Sequence, residues 1–415
     1  MTEQTRRPTR REALALSGAL LGATAGGLAL APDAFARPRP GASRPRVYLG
    51  AYTGGDTAHG IGLASADRDT GGLRLDGVVP TADPSFLALS ATGRVLYAVN
   101  ETTDGRVSAF ELAPDGTVRR LLGSAPSGGA HPCHLSLHPG GRHLFTANYT
   151  SGTVAVVALR PDGGPGEVVQ VVRYTGAGPD PERQTGPHAH MVLPDPTGDR
   201  LFGVDLGTDS VHVHRFDVGR GLLTEESVAK MPAGSGPRHL ALHPGGRTAY
   251  VLGELDSTVT SCAYDARRGT LTPVATVPIL PEDADPIPST AAEVLVSADG
   301  RFVYASNRGH DTITVLAVDA SDETRLRRVS HHPSGGASPR HMAFDPAQRL
   351  LYAANQRSGT VTVLRRDPVG GGLSPAGEPL AFSQAVCVLP AAPGRPCPRL
   401  GSARSRARTD GSPRP

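Results

Sequence analysis

The amino-acid sequence predicts an all-β fold: a seven-bladed β-propeller with four antiparallel strands in each blade. The chain of 415 residues is rich in Gly (51) and Pro (38), and 4% of it is aromatic. This composition favours many short strands joined by turns over long helices. A strand of the type Leu-Tyr-Ala-x-Asn recurs seven times at intervals of 48 to 57 residues. Periods near 50 residues with strand-like content are typical of propeller blades.

The repeat is anchored on one aromatic residue in each unit. These residues are Tyr48, Tyr97, Phe145, Phe202, Tyr250, Tyr304 and Tyr352. Subtracting neighbouring positions gives steps of 49, 48, 57, 48, 54 and 48 residues. Seven copies predict seven blades, and the ring must close because a lone blade cannot bury both of its faces.

Each unit contains four strand-like segments in a fixed order. In the third unit they read HPCHLSLHP, HLFTANY, TVAVVAL and EVVQVVRY, with the tight turn GGR between the first two. Large and small residues alternate with a period of two, and turn residues separate the segments. Both features indicate antiparallel strands.

The two ends of the repeat complement each other. The first unit begins at RVYLGAYT, which matches a second strand and has no first strand before it. The segment QAVCVL (384–389) resembles a first strand and has no second strand after it. We therefore expect the C-terminal strand to complete the N-terminal blade, which gives one domain over 47–389.

The segments outside this domain have other roles. Residues 1–36 resemble a twin-arginine export signal, with Arg10 and Arg11 before an apolar stretch and the small-residue motif AFA ending at Ala36. We expect 37–46 to be a linker and the Pro- and Arg-rich segment 390–415 to be a disordered tail. The mature protein is thus expected outside the cytoplasm and free of the membrane, because no internal apolar run reaches the ~18 residues of a membrane span.

The folded part of the chain is acidic although the whole chain is not. The formal charge is +3, from 42 basic and 39 acidic residues. Removing the 14 arginines and four acids of 1–46 and 390–415 leaves 28 basic and 35 acidic residues in the domain. This excess of acid argues against nucleic acid as a partner. We expect a monomer whose partner is a small molecule.

Alignment on the aromatic residue separates two kinds of column. Three residues after it, the units carry mostly Asn or Asp, namely Asn100, Asn148, Asp205, Asn307 and Asn355. So uniform a column is most simply structural, because these side chains bond nearby backbone at strand ends. A calcium-binding ring is the less favoured alternative. One residue further on, the column is diverse and charged, and it includes Glu101, Glu254 and Arg308.

A second diverse column lies at the start of the first strands, opposite the first. It contains His190, Arg238 and Arg340. We expect both columns to lie near the central channel, where acid, base and arginine converge as in a catalytic site. The candidate catalytic residues are Glu254, His190, His188, Arg308 and Arg238. The candidate substrate-binding residues are Arg238, Arg308, Arg340 and Glu101. An ion-pair network that joins the blades is the alternative.

Other histidines and the cysteines are interpreted as structural. The column after the second diverse one contains His134, His239 and His341, which we expect to be buried and hydrogen bonded between blades. HAH (188–190) and HVH (212–214) each place two imidazoles on one strand face, but no third ligand is near in sequence, so no metal site is expected. Cys133, Cys262, Cys387 and Cys397 lack metal-binding spacing, and the first three are expected to be buried thiols.

Several motifs resemble one known family. GPRHLALHPGGRTAYVLGELDSTV, VSADGRFVYASNRGHDTITVL, GPHAH and VYLGAYTGG together resemble the lactonase family of seven-bladed propellers over essentially all of 47–389. That family includes the propeller type of 6-phosphogluconolactonase and the fungal carboxymuconate cyclase. The resemblance implies a central-channel site that uses a histidine (His188 or His190), Arg238, Glu254 and Arg308, with no cofactor.

The implied chemistry is hydrolysis of a small, anionic, sugar-derived lactone. Glu254 would activate water, the two arginines would hold the substrate anion and stabilise the oxyanion, and a histidine would protonate the leaving oxygen. Two alternatives stay open: a lactone-forming isomerase like the muconate cyclase, and an exported binding propeller without catalysis. The export signal argues against a phosphorylated sugar as the substrate.

Overall fold

The strands form seven antiparallel sheets arranged in chain order, so the predicted seven-bladed propeller is confirmed. The structure is a computed structural model that describes residues 44–54, 60–67, 70–282 and 288–391. The predicted export signal (1–36) and most of the predicted tail (390–415) lie outside the described residues. No helix in the described part of the chain is long and apolar enough to cross a membrane.

Blades 1 to 4 follow the predicted order of strands, from the first strand outward. Blade 1 holds β1 (Arg46–Ala51), β2 (Gly60–Ala66) and β3 (Leu73–Pro80). Blade 2 holds β4 (Leu87–Leu89), β5 (Val95–Asn100), β6 (Arg106–Leu112) and β7 (Val118–Pro126). Blade 3 holds β8 (Pro132–Leu137), β9 (His143–Asn148), β10 (Thr153–Leu159) and β11 (Pro165–Arg173). Blade 4 holds β12 (Ala189–Pro194), β13 (Arg200–Asp205), β14 (Ser210–Asp217) and β15 (Leu222–Lys230).

Blades 5 to 7 continue the series, and a last strand follows them. Blade 5 holds β16 (Pro237–Leu242), β17 (Thr248–Gly253), β18 (Thr258–Asp265) and β19 (Thr270–Pro278). Blade 6 holds β20 (Thr290–Val296), β21 (Phe302–Arg308), β22 (Thr312–Val318) and β23 (Leu326–Pro333). Blade 7 holds β24 (Pro339–Phe344), β25 (Leu350–Asn355), β26 (Thr360–Arg366), β27 (Leu373–Pro375) and β28 (Leu380–Ala381). The last strand is β29 (Ala385–Pro390).

The ring closes where the sequence predicts. Strand β29 pairs antiparallel with β1 and becomes the first strand of blade 1, with Leu49 opposite Val388. The amide of Ala391 extends the pairing by one bond of 2.8 Å to the carbonyl of Arg46. Both ends of the domain are therefore held in one sheet, and β1 is paired on both of its sides.

Blade 7 departs from the four-strand pattern. Its outer strand is split into β27 and β28, which both pair with β26. The segment between them contains Pro379, and Pro375 ends β27. Proline has no amide hydrogen to donate to a ladder, so the outer strand cannot run through this segment unbroken.

In six of the seven blades the repeated aromatic residue contacts the next blade. The hydroxyl groups of Tyr48 and Tyr97 donate to the carbonyls of Gly116 and Gly163, which lie in outer turns of the following blades, at 2.8 and 2.7 Å. Tyr250 and Tyr304 make equivalent bonds of 2.8 Å. In blades 3 and 4 the residue is Phe145 or Phe202, which packs instead on an aromatic ring of the next blade. The sequence repeat thus marks the main inter-blade contact.

Candidate active site

A single carboxylate is held by three arginines at one end of the inner strands. Oε1 of Glu254 accepts a hydrogen bond of 2.7 Å from Nη2 of Arg183. Its Oε2 lies 3.0 Å from both Nε of Arg238 and Nη2 of Arg308. The Arg238 Nε–H is not aligned for a hydrogen bond, so that contact is electrostatic. We call these four residues the Glu254 cluster.

Hairpin geometry explains how the members from blade 5 meet. Glu254 follows β17 directly, and Arg238 is the second residue of β16, the inner strand of the same blade. The pairing of Gly253 with Pro237 brings these two strand ends together. Arg308 ends β21 in the adjacent blade. The two diverse columns of the sequence therefore face each other.

The neighbouring arginines, more than burial, determine the protonation state of Glu254. The side chain of Glu254 is 5% exposed. Burial alone raises its pKa, but Arg308, Arg238 and Arg183 outweigh burial and lower it to about 2. Burial and the neighbouring Arg308 and Arg340 lower the pKa of Arg238 to about 10, which still leaves it charged at pH 7. The resting site therefore holds an ionised, weakly basic carboxylate.

Arg183 is the cluster member that the sequence analysis missed. It lies in the connection between β11 and β12, within the 57-residue step that is the longest of the repeat. It has no counterpart in the other units, so column alignment has nothing to compare it with. The unusual length of that step is the signal in the sequence that points to it. Its side chain is 40% exposed, far more than those of the other two arginines.

The two candidate histidines occupy different environments. His188 is half-buried and stacks on Tyr149 at 4.5 Å, and its Nδ1–H donates to the Tyr149 carbonyl. This bond fixes the orientation of the ring. His190 is buried, and its Nδ1 has no hydrogen-bond partner. The Tyr149 hydroxyl accepts a bond of 3.3 Å from Arg183, which links His188 to the Glu254 cluster.

The acid role was expected of either His188 or His190, and the pKa of His190 describes its state before substrate binds. Burial and the nearby Arg238 hold this pKa well below its usual value. The ring is therefore neutral at pH 7 and is not a protonated acid in the resting site. Burial and the guanidinium groups act in the same direction on this imidazole, whereas they oppose each other at Glu254.

Arg340 and Glu101, the other predicted binding residues, meet through Tyr52. The hydroxyl of Tyr52 accepts from Nη2 of Arg340 and donates to Oε1 of Glu101, both at 3.0 Å. The Arg340 guanidinium also lies over the Tyr52 ring at 5.6 Å. Burial lowers the pKa of Arg340, but Tyr52, Glu101 and Glu254 raise it by more than burial lowers it. Arg340 therefore stays charged beside the cluster.

The Asn column is structural, as the sequence indicated. The Asn148 amide donates to the Ser127 carbonyl and the Thr153 hydroxyl, both at 3.1 Å. The Asn307 amide bonds Thr312 and Thr314 in its own blade. These amides are used in fixing strand ends, which is the role that such a uniform column predicts.

The histidines interpreted as structural are hydrogen bonded between neighbouring blades, as the sequence predicted, and their rings also meet at the propeller axis. Their layer also contains an aromatic ring and a carboxylate, and we call it the axial layer: Phe86, His134, His239, Glu293 and His341. Column alignment identifies equivalent positions but not their distance from the axis. Rings from blades 2, 3, 5 and 7 touch here, so the channel is filled at this level.

The axial layer also supports the Glu254 cluster. His239 donates from Nδ1 to Glu293 at 3.0 Å and accepts at Nε2 from Nη1 of Arg238 at 3.2 Å. Arg238 additionally donates to the Ala292 carbonyl. These bonds fix the guanidinium that faces Glu254.

Three predicted thiols are free and buried: Cys133, Cys262 and Cys387. Cys397 lies outside the described residues. Within the described part of the chain, the one group of His, Cys, Asp and Glu donors close enough to share a metal lies in outer blade 4, away from the Glu254 cluster.

Comparison with known proteins gives a consistent family. A family model described as "Lactonase, 7-bladed beta-propeller" matches residues 46–390. The 6-phosphogluconolactonase of Bacillus subtilis is 32% identical over 348 residues, which cover 82% of this chain and 97% of that protein. A protein of the same name from Formosa agariphila is 30% identical over 336 residues, covering 79% and 94%.

Solved structures agree with this similarity. The periplasmic gluconolactonase of Pseudomonas aeruginosa superposes with a TM-score of 0.79 at 32% identity, covering 84% of this chain and 99% of that chain. A protein from Lactobacillus plantarum superposes with a TM-score of 0.77 at 33% identity, covering 84% of this chain and all of that chain.

Proposed function

Because this chain belongs to the lactonase family of seven-bladed β-propellers, we propose that it hydrolyses a small, anionic, sugar-derived lactone at the mouth of its central channel. The observation that carries this proposal is the Glu254 cluster, in which one buried carboxylate is held by three arginines. An acid, a surplus of guanidinium groups and two histidines are the groups that water-mediated opening of an anionic lactone needs.

The charge of the site favours an anionic substrate. Four guanidinium groups, from Arg183, Arg238, Arg308 and Arg340, face two carboxylates, those of Glu254 and Glu101. The named residues thus carry a surplus of two positive charges. The planar fork of arginine suits a carboxylate or phosphate, which it holds with two parallel hydrogen bonds.

An anionic substrate would also make Glu254 a better base. The pKa of about 2 reflects three guanidinium groups that stabilise its ionised form. A substrate anion that takes over one or more of them removes that stabilisation, so the pKa rises toward the range useful for general-base catalysis. Arg183 is the candidate for this exchange, because it lies on a connecting segment and is the most exposed of the three.

The reaction balances with Glu254 as the single proton carrier. Glu254 takes a proton from water, and the water oxygen bonds to the lactone carbonyl carbon. Arg238 and Arg308 stabilise the tetrahedral oxyanion. The bond to the ring oxygen then breaks, and protonated Glu254 returns the proton to that oxygen. The new carboxylic acid ionises in solution and releases one proton per turnover.

The histidines line the space for the substrate in this proposal. His190 is neutral in the resting site, so it accepts a hydrogen bond from a substrate hydroxyl more readily than it gives up a proton. An outer ring face of the stacked Tyr149–His188 pair would suit the apolar face of a sugar-like ring, which stacks on aromatic groups.

Proton release from a panel of lactones tests the proposal. The full chain is assayed by pH-stat with lactones of one ring size that carry a carboxylate, a phosphate or no charge. We expect hydrolysis, with a preference for the anionic members of at least about tenfold, since each 1.4 kcal/mol of added attraction is a factor of 10. A preference for the neutral lactone contradicts the anionic part. If no lactone is hydrolysed but a muconate is converted to a lactone, the protein is a lactone-forming isomerase instead.

Export by the twin-arginine route is a separate proposal. It rests on Arg10 and Arg11 and the apolar stretch that follows them, and the Pseudomonas aeruginosa relative is described as periplasmic. Outside the cytoplasm we expect a carboxylate-bearing sugar lactone as the substrate instead of a phosphorylated one, because phosphorylated sugars belong mainly inside the cell. Replacing Arg10 and Arg11 by lysines should leave the protein in the cytoplasmic fraction, and unchanged export of this variant contradicts the proposal.

A further inference from the structure

Two histidines and a glutamate share one face in the outer half of blade 4. His212 and His214 are two residues apart on β14, so their side chains lie on the same face. Glu225 on β15 is the cross-strand neighbour of His214. Its Oε2 accepts from Nδ1 of His212 at 2.7 Å. One donor atom from each residue lies within 4.8 Å of the other two, and no other such group occurs among the described residues.

Both imidazole rings are buried and incompletely bonded. His212 is 7% exposed and His214 is 1% exposed. Nε2 of His212 and Nδ1 of His214 have no hydrogen-bond partner although both atoms are buried. Buried polar atoms without a partner are rare and costly, so a ligand that supplies the missing bond is favoured.

Tyr174 prepares the two rings for a ligand. It stacks on His212 with a centroid separation of 3.7 Å, and its hydroxyl lies 2.9 Å from Nε2 of His214. When that Nε2–H donates to the hydroxyl, Nδ1 keeps its lone pair, which is the arrangement that metal-binding histidines use. Gly203 makes room for Tyr174, because a Cβ at this position would lie 2.0 Å from the hydroxyl oxygen.

We infer that His212, His214 and Glu225 form a binding site for one Zn²⁺ ion. Two imidazoles and a carboxylate suit Zn²⁺ and leave its fourth position to water, whereas Ca²⁺ prefers sites built from oxygen alone. Tetrahedral zinc holds its donor atoms about 3.4 Å apart. Glu225 is 48% exposed and can close the remaining gap. The sequence gives no third ligand beside the HVH pair, but the neighbouring strand supplies it.

The site is distinct from the proposed lactone-hydrolysing site. It lies on the two outer strands of blade 4, whereas His190 belongs to the inner strand of that blade. Removing the zinc ligands therefore leaves the Glu254 cluster in place, and the two proposals are tested separately.

Zinc titration of the full chain, after removal of bound metal, tests the inference. Affinity is measured by competition with a chromophoric chelator, and the melting temperature is measured with and without Zn²⁺. We expect one tightly bound Zn²⁺ per chain and a higher melting temperature with zinc, because an ion that binds the native state stabilises it. Ca²⁺ should produce neither effect.

Two variants and a control decide the result. Glu225→Gln keeps a half-exposed side chain of the same size, and His212→Phe keeps the stacking on Tyr174. Each should weaken zinc binding about 100-fold or more, since the loss of groups that merely support a ligand already costs 10- to 100-fold. Glu323→Gln alters another histidine–glutamate pair, 3.3 Å from His243, and should bind zinc like wild type. Wild-type affinity in Glu225→Gln, or no stoichiometric zinc in wild type, overturns the inference.

Discussion

Replacing Glu254 by Gln separates a catalytic carboxylate from an ion-pair partner. The substitution keeps the size of the side chain and one hydrogen-bond acceptor but removes the charge and the basic oxygen. Arg238 and Arg308 then face a neutral amide, and Arg238 is the more affected because its side chain is only 3% exposed. The variant should therefore lose both stability and turnover, by amounts that follow from different features.

The stability cost follows from the pKa of Glu254. Folding shifts this pKa from 4.5 to about 2, and each pH unit corresponds to about 1.4 kcal/mol, so the charged form is favoured over a neutral one by about 3 kcal/mol. A neutral Gln forfeits about this much at pH 7. Because folding lowers the pKa of this carboxyl group, its contribution to stability is present above pH 4.5 and is lost as the pH falls toward 2. The fold should survive, because its other inter-blade contacts are untouched.

The cost in turnover should be larger than the stability loss alone can produce. A lost general base lowers kcat by roughly 10²-fold or more, measured by pH-stat on a lactone that the wild type hydrolyses, at a temperature where the variant is fully folded. Binding of the hydrolysed anionic product, followed by calorimetry, should persist. If Glu254→Gln turns over like wild type while it melts earlier, Glu254 is an inter-blade ion-pair partner, and the proposed mechanism is wrong.

Four further measurements follow. Asn307→Ala should lower the melting temperature with little loss of kcat, whereas the adjacent Arg308→Ala should lower kcat far more than stability; equal proportions in both variants would remove the distinction between the two columns. Arg183→Gln should reduce the preference for anionic over neutral lactones by roughly tenfold, and an unchanged preference would contradict its proposed exchange with the substrate. Deletion of 384–415 removes β29 and should lower the melting temperature strongly, whereas deletion of 392–415 should not; equal melting temperatures would refute closure by β29. Thermal stability should fall as the pH drops below 6.5, by up to ~1.4 kcal/mol per pH unit for each axial-layer histidine, because burial lowers their folded pKa values and the unfolded chain then binds more protons; the raised pKa of Glu293 offsets part of this, and a flat profile from pH 7 to 5 would contradict it.

The fold was predictable because a repeat carries its own internal alignment. The aromatic residue recurs at nearly constant spacing since it contacts the next blade in six blades, through a tyrosine hydrogen bond in four and through phenylalanine ring packing in two. The ring closure was predictable because the repeat begins with a second strand that lacks a first strand and ends with a first strand that lacks a second strand. The split outer strand of blade 7 escaped prediction, since it depends on Pro375 and Pro379 within an otherwise regular unit.

The candidate site was predictable where the repeats can be compared. Glu254, Arg238 and Arg308 stand out as deviations from a shared frame, and the pairing of adjacent strands brings such deviations together. Arg183 lies in an insertion outside that frame, so no comparison reveals it. The protonation state of His190 also lay beyond the sequence, because it depends first on how deeply the ring is buried and then on which guanidinium groups surround it in space.

The axial layer closes the far end of the proposed lactone-binding chamber, so the chamber has a single entrance. Rings from non-adjacent blades meet at the axis beside Arg238, so a molecule the size of a sugar ring should not leave by the far side. Product and substrate must use the same entrance in turn, and accumulated product should therefore compete with substrate. A polymer cannot be threaded through such a ring. The proposed reaction is therefore suited to small, free lactones that diffuse in singly and whose open-chain acid products leave through the same entrance.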